Sequence, residues 1–282
     1  MTVKQRKSTQ HHSSQGFRQK HVLGQHFLED TDLLNELLDA TGVGEQDDIL
    51  EIGPGGGDMT RLLCSRCRSV TAVEIDRDLI PILRVMLEGA ANFRLVEGDI
   101  LKTDIAALMA DKESFHVVAN IPYYLTTELM ERLLQGDLAL KSISVMVQKE
   151  AAQRIVAVPS TPEYGPLAIR AQYYTEPQIV REVKAECFTP PPKVDSAFVY
   201  MPWRMVPAVS VRDEKAFFKV VRTAFGLRRK TLCNNLIATF KLDRSQVEEW
   251  LSRAGLPLNV RGEALTLQQF ADLANSIENE PI

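Results

Sequence analysis

The sequence predicts a layered α/β fold: a mostly parallel sheet with helices on both faces, followed by a small all-helical domain. Three observations carry this expectation. Five short apolar runs are separated by segments long enough for crossover helices, the first run ends in a glycine-rich turn, and the pattern past Pro207 is almost purely helical. With 282 residues, 45% of them hydrophobic and 25% charged, the chain is long enough to bury a full core and carry a smaller second domain.

In chain order, the first 28 residues hold Lys4, Arg6, Lys7, Arg18 and Lys20 and no acid before Glu29, although the net charge of the chain is −4. Residues 1–20 therefore read as a basic arm. Its first part, to about residue 15, is rich in Gln, Ser, Thr and His and has little to bury, so it is expected to be disordered. Leu33, Leu34, Leu37 and Leu38 recur at helical spacing, with Asp30 or Thr31 placed to cap. The strand candidates are Asp48–Ile52, Val70–Glu74, Phe93–Val96, Phe115–Ala119 and Ile143–Val147. In such a sheet ligands bind at the carboxyl ends of the strands. Past residue 177 the rhythm breaks. The run Thr189-Pro190-Pro191-Pro192 excludes a helix, and an alternating segment, Ala197–Tyr200, follows. This first domain spans residues 21–205. In the helical domain, 206–282, Phe217, Phe218, Val221 and Phe225 mark an apolar face, and Ser245-x-x-Glu248 and Thr266-x-x-Gln269 match capping boxes.

No stretch approaches the ~18 uninterrupted apolar residues of a membrane span, and the N-terminus lacks the apolar core of a secretory signal, so a cytoplasmic location is expected. Of the four cysteines, Cys64, Cys67, Cys187 and Cys233, only the first two are close together, which argues against a disulfide framework. Cys64-x-x-Cys67 has no second ligand pair, so packing is expected there and no metal.

The glycine turn is Gly53-Pro54-Gly55-Gly56-Gly57. The series Glu51-x-Gly53-x-Gly55-x-Gly57 lacks the G-x-G-x-x-G phosphate fingerprint, and Pro54 removes an amide that could face a pyrophosphate. Glu74 closes the second strand about 20 residues on, where a carboxylate accepts hydrogen bonds from both ribose hydroxyls. Asp99 follows the third strand and is placed to accept a proton from an adenine amino group, with Ile75 and Ile100 on either side of the base. An adenosine without phosphate is implied, and S-adenosyl-L-methionine fits, leaving as S-adenosyl-L-homocysteine.

The fourth strand ends in Asn120-Ile121-Pro122-Tyr123. An adenine amino nitrogen is a poor nucleophile because its lone pair is delocalised into the ring. Acceptors for its two hydrogens, the Asn120 side-chain oxygen and the carbonyl of Ile121 or Pro122, make it more tetrahedral, while Tyr123 offers a stacking face. The expected step is an in-line displacement at the methyl carbon with no covalent enzyme intermediate. Arg222, Arg228, Arg229 and Lys230, with Arg18 and Lys20, are the expected RNA contacts.

These segments closely resemble the KsgA (RsmA) family of small-subunit ribosomal RNA adenine dimethyltransferases over about residues 20–275. The resemblance rests on Leu23-Gly24-Gln25-His26-Phe27-Leu28, Glu51-Ile52-Gly53-Pro54-Gly55, Val73-Glu74-Ile75-Asp76, Gly98-Asp99, Asn120-Ile121-Pro122-Tyr123-Tyr124, Gln148-Lys149-Glu150, Tyr164-Gly165, the run from Phe188 to Ser196, and Arg228-Arg229-Lys230-Thr231. It implies a Rossmann-like class I methyltransferase domain and dimethylation of two adjacent adenosines in the loop of the 3′-terminal hairpin of 16S rRNA, within the pre-30S subunit. It further implies cofactor contacts at Gln25, His26, Leu28, Gly53, Gly55, Glu74, Asp99 and Asn120, closure of the base pocket by Phe188 opposite Tyr123, and a monomer. His26 stands where the family has asparagine against the methionine end of the cofactor. A histidine there can still donate and accept through its ring nitrogens, so cofactor binding is expected to survive. The rival readings are an Erm-type methyltransferase of large-subunit 23S rRNA, which would share the glycine loop, Asn120 and Tyr123, and a non-catalytic ribosome assembly factor.

Overall fold

The computed structural model describes residues 25–277. The basic arm, with Arg18 and Lys20, lies outside them. The chain begins with β1 (Phe27–Leu28) and α1 (Thr31–Asp39). It then alternates through β2 (Asp48–Ile52), α2 (Asp58–Arg66), β3 (Ser69–Glu74), α3 (Leu79–Met86), β4 (Phe93–Glu97), α4 (Ile105–Leu108), β5 (Phe115–Asn120), α5 (Thr126–Leu133) and β6 (Leu140–Gln148). After α6 (Lys149–Val156) and α7 (Pro166–Tyr174) come β7 (Gln178–Val183), β8 (Phe188–Thr189) and β9 (Ser196–Pro202). The helical part comprises α8 (Glu214–Ala224), α9 (Leu232–Phe240), α10 (Arg244–Arg253) and α11 (Leu267–Ser276). None of the described helices is long and apolar enough to cross a membrane.

The seven-stranded sheet runs β4-β3-β2-β5-β6-β9-β7, parallel from β4 to β6 and antiparallel at β9 and β7. Its central strands are covered on both faces, which is why β2 and β5 are mostly apolar and buried almost throughout. Successive residues divide between the faces. Leu50, Ile52, Val117 and Ala119 pack with Leu129, Met130 and Leu133 of α5, while Ile49 and Val118 pack with Leu34, Leu37 and Leu38 of α1 and Leu63 of α2. The first of these cores continues without a break into the helical part through Phe217, Val221, Leu236, Leu251 and Phe270.

Strand order reverses between β2 and β5, since β3 and β4 extend to one side of β2 and the chain then returns to β5 on the other. The loops leaving these two neighbours diverge and open a crevice at their carboxyl ends. A separate two-stranded ribbon, β1 antiparallel to β8, pairs Phe27 with Thr189 and Leu28 with Phe188.

Local signals acted largely as the sequence suggests. Asp30 caps α1 by accepting from the amides of Asp32 and Leu33, and Thr266 and Gln269 form the capping box of α11. The box expected at Ser245 and Glu248 is instead Asp243 with Gln246, whose Oε1 accepts from the Asp243 amide at 3.2 Å. An acid is a strong N-cap, and taking Asp243 starts the helix two residues before the expected frame. β7 was not anticipated from sequence. It is an edge strand with a register shift between Ile179 and Arg181, so it lacks strict alternation.

Candidate active site

The loop after β2 is built on glycines in the left-handed region, Gly53 at φ 67° and Gly55 at φ 57°. At Gly55 there is also a steric demand: a Cβ would lie 2.9 Å from the Phe27 ring. The loop is tied to the end of β3 through Glu74, whose Oε2 accepts from the Gly55 amide at 3.3 Å and whose Oε1 accepts from the Asp76 amide at 2.7 Å. Burial raises the Glu74 carboxyl above its ordinary value, partly offset by those two amides.

Glu51 sits beside it on β2, 2% exposed, and its Oε2 has no hydrogen-bond partner. Burial pushes its carboxyl up to about 8; Thr60 opposes this in part, and the neighbouring Glu74 adds a smaller upward push. Burial likewise pushes the Cys64 and Cys67 thiols up to about 12 and 11, as expected of packed, inert cysteines.

Across the crevice, β5 delivers Asn120. Its Nδ2 donates to the His26 carbonyl at 2.9 Å, which fixes the amide and leaves Oδ1 as an acceptor. Pro122 (φ −54°, ψ 132°) opens a 3₁₀ turn over Tyr123–Leu125, and its carbonyl accepts from the Leu125 amide at 2.9 Å. The Tyr123 hydroxyl lies 2.9 Å from Ser196 Oγ on β9, and burial raises its pKa. The His26 ring faces that of Tyr123, with centroids 5.5 Å apart and planes at 29°. His26 Nδ1 donates to the Pro190 carbonyl at 2.7 Å, joining β1 to the proline run.

One pocket gathers thirteen of the positions singled out from sequence. Gln25, His26 and Leu28 form one wall, and Gly53 and Gly55 the floor. Glu74, Ile75, Asp99 and Ile100 line it from the ends of β3 and β4, Asn120, Pro122 and Tyr123 from the end of β5, and Phe188 from β8. Asp99 Oδ1 accepts from the Leu101 amide at 3.0 Å, and Oδ2 lies 3.5 Å from the exposed Lys102 ammonium. Ile100 is buried and Ile75 half exposed at 50%.

The four expected RNA contacts that lie among the described residues do not join this pocket. Arg222 lines a different cavity, between α5, α7 and α8, with Arg170 and Phe218. Arg228 donates to the Pro162 carbonyl at 2.8 Å, and it and its neighbours Arg229 and Lys230 lie exposed between α8 and α9.

Several residues that hold the pocket's lining in place carry no signal of that role in the sequence. Asp76 accepts from Gln25 Nε2 at 2.9 Å, Ser196 holds Tyr123, and Phe27 packs on Gly55. The signal for Glu51 was present: an acid inside an otherwise apolar strand.

The pocket also shows what it lacks. Gln25 Oε1, an acceptor, and Glu51 Oε2, on a carboxyl that burial keeps protonated, are buried polar atoms without partners on its lining. A ligand with an amine or hydroxyls at one end and an adenine at the other would satisfy such a set, which fits S-adenosylmethionine.

Comparison with known proteins agrees with this geometry. Residues 16–279 match the family model described as ribosomal RNA adenine dimethylase. A protein named ribosomal RNA small subunit methyltransferase A from Clostridium botulinum (strain Loch Maree / Type A3) is 42% identical over 255 residues, covering 90% of this chain and 92% of the relative. Its namesake from Bacillus pumilus is 43% identical over 270 residues, covering 93% and 92%. Among solved structures, the 23S rRNA methyltransferase ErmE superposes with a TM-score of 0.69 at 26% identity, over 90% of this chain and 100% of that one. A dimethyladenosine transferase from Plasmodium falciparum shares the fold, with a TM-score of 0.76 at 24% identity over 88% and 96%. With its Rossmann-like sheet, its crevice at the strand reversal and a family match over nearly its whole length, the chain belongs to the ribosomal RNA adenine dimethylase family of S-adenosylmethionine-dependent methyltransferases.

Proposed function

We propose that the chain dimethylates the N6 amino groups of two adjacent adenosines in the loop of the 3′-terminal hairpin of 16S rRNA, acting as a monomer in the cytoplasm on the assembling small subunit. The observation that carries the chemistry is the Asn120 amide, held by the His26 carbonyl so that its oxygen is left as an acceptor in the pocket that Tyr123 and Phe188 also line. The choice of small over large subunit follows the names and 42–43% identity of the relatives, against 26% for ErmE.

When bound, S-adenosylmethionine supplies an electrophilic methyl group on a positive sulfur. Gln25, His26, Leu28, Gly53 and Gly55 would hold its methionine part, Glu74 its ribose and Asp99 its adenine amino group, with Ile75 and Ile100 flanking the ring. Asn120 Oδ1 accepts one hydrogen of the target amine. The Ile121 or Pro122 carbonyl takes the other, one lone pair of the Pro122 oxygen being already engaged by the Leu125 amide. Both acceptors draw the nitrogen toward a tetrahedral shape, and Pro122 fixes their geometry. Tyr123 and Phe188 clasp the base, which a hairpin loop releases at low cost. Arg222, Arg228, Arg229 and Lys230 would meet phosphates.

Mapping the methylated positions in small subunits that lack the modification tests this reading. The expected result is dimethylation at two neighbouring loop adenosines, with Asn120→Ala lowering the rate roughly 10²- to 10³-fold while still binding cofactor. Label elsewhere in the RNA, or an active Asn120→Ala enzyme, overturns it.

A further inference from the structure

Tyr123 and Tyr124 share one 3₁₀ turn and have opposite environments. Tyr123 is held, its hydroxyl at Ser196 and its ring against His26. Tyr124 is 64% exposed at the mouth of the same pocket, and its side chain makes no hydrogen bond or ring contact among the described residues. Its backbone is nonetheless fixed on both sides: the Ile121 amide donates to the Met146 carbonyl at 3.1 Å, and the Leu125 amide to Pro122 at 2.9 Å. A 3₁₀ turn advances about 120° per residue, so two successive rings on it point in different directions, and here the second is left at the rim of the pocket both line. A large aromatic ring on rigid backbone, left in water at a pocket mouth, is a surface waiting for a flat apolar partner.

We propose that Tyr124 is a positioning residue on which the nucleobase adjoining the target adenine stacks, so that the enzyme grips two neighbouring bases, one on each tyrosine. This rests on the single-stranded RNA loop read above as the substrate. Base stacking on an aromatic ring tolerates any base, since each has a π-face, so Tyr124 would fix the register of the strand without reading its sequence. Once the strand advances by one nucleotide, the base formerly on Tyr124 would enter the pocket. The same turn would thereby serve two adjacent targets in succession.

The test uses the full-length protein and hairpin RNAs carrying 2-aminopurine on one or the other side of the target adenosine. With wild-type protein the probe at one of these positions is expected to stay quenched on binding, to brighten with Tyr124→Ala, and to stay quenched with Tyr124→Phe. Steady-state methylation should show the KM for RNA rising roughly 5- to 100-fold in Tyr124→Ala, with kcat and cofactor affinity little changed and Tyr124→Phe restoring the wild-type value. Equal fluorescence for wild type and Tyr124→Ala at both positions overturns the proposal, as does a fall in kcat at constant KM. If wild-type protein does not bind the hairpins at all, the substrate reading itself fails and takes this proposal with it.

Discussion

Glu51→Gln is expected to stabilise the folded chain, by an amount that depends on pH in a defined way. In the folded protein this carboxyl is buried, lacks a partner for one oxygen and faces Glu74, so it holds its proton up to a pH of about 8. In the unfolded chain it titrates near 4.3. Between these values the folded state keeps a proton that the unfolded state releases, so stability falls as pH rises, by about 1.4 kcal/mol per pH unit. Its contribution is fully present below the unfolded value and is lost by about pH 8. By pH 7 the loss is about 3–4 kcal/mol, a large share of the roughly 5–15 kcal/mol that holds a protein folded. Glutamine keeps the shape and does not titrate. Urea denaturation of wild type and Glu51→Gln at pH 5, 6, 7 and 8 should therefore show a stability difference that grows in the variant's favour with each step, on top of any constant offset from the amide. A difference independent of pH would mean that Glu51 is ionised in the folded state, and the reasoning would fail.

Gly55→Ala must adopt φ 57° and push the Phe27 ring away from 2.9 Å, and should lower stability by about 1–3 kcal/mol in urea titrations, with weaker cofactor binding. His116 is buried against Asp47 and Ser142, and burial holds its pKa below the ordinary value despite Asp47. Its contribution to stability is present above about pH 6.5 and is lost as pH falls through the depressed value, so His116→Gln should flatten the acid side of the stability profile. Tyr123→Phe loses only the hydroxyl contact with Ser196 and should cost about 1 kcal/mol while retaining methyl transfer, whereas Tyr123→Ala should lose transfer. Replacing Arg228, Arg229 and Lys230 together by glutamine should reduce the salt dependence of RNA binding, by about 0.7–0.9 in log–log slope for each phosphate contact removed.

Much of this site was readable because chemistry in an α/β sheet gathers where strands end. The ends of the strands bearing Ile52, Glu74 and Asn120 were marked by apolar runs giving way to glycine, acid or amide. Contacts across long sequence separations were not readable. Two-residue strands have no periodicity, so nothing local announces that Leu28 pairs with Phe188 or that the His26 carbonyl orients Asn120. Ser196 meets Tyr123 only because β9 lies beside β6, and that pairing is tertiary. Arg222 illustrates the same limit. Its charge marked it as a candidate RNA contact, but nothing local announced that α8 would set it in a cavity with Arg170 and Phe218.

The central claim is tested most directly by supplying labelled S-adenosylmethionine to the protein with unmodified small subunits and, separately, with large subunits, then digesting the RNA and identifying the labelled nucleoside. N6,N6-dimethyladenosine from the small subunit alone is the predicted result. Label in the large subunit would contradict it in favour of an Erm-type target, and tight binding to small subunits without label would contradict catalysis.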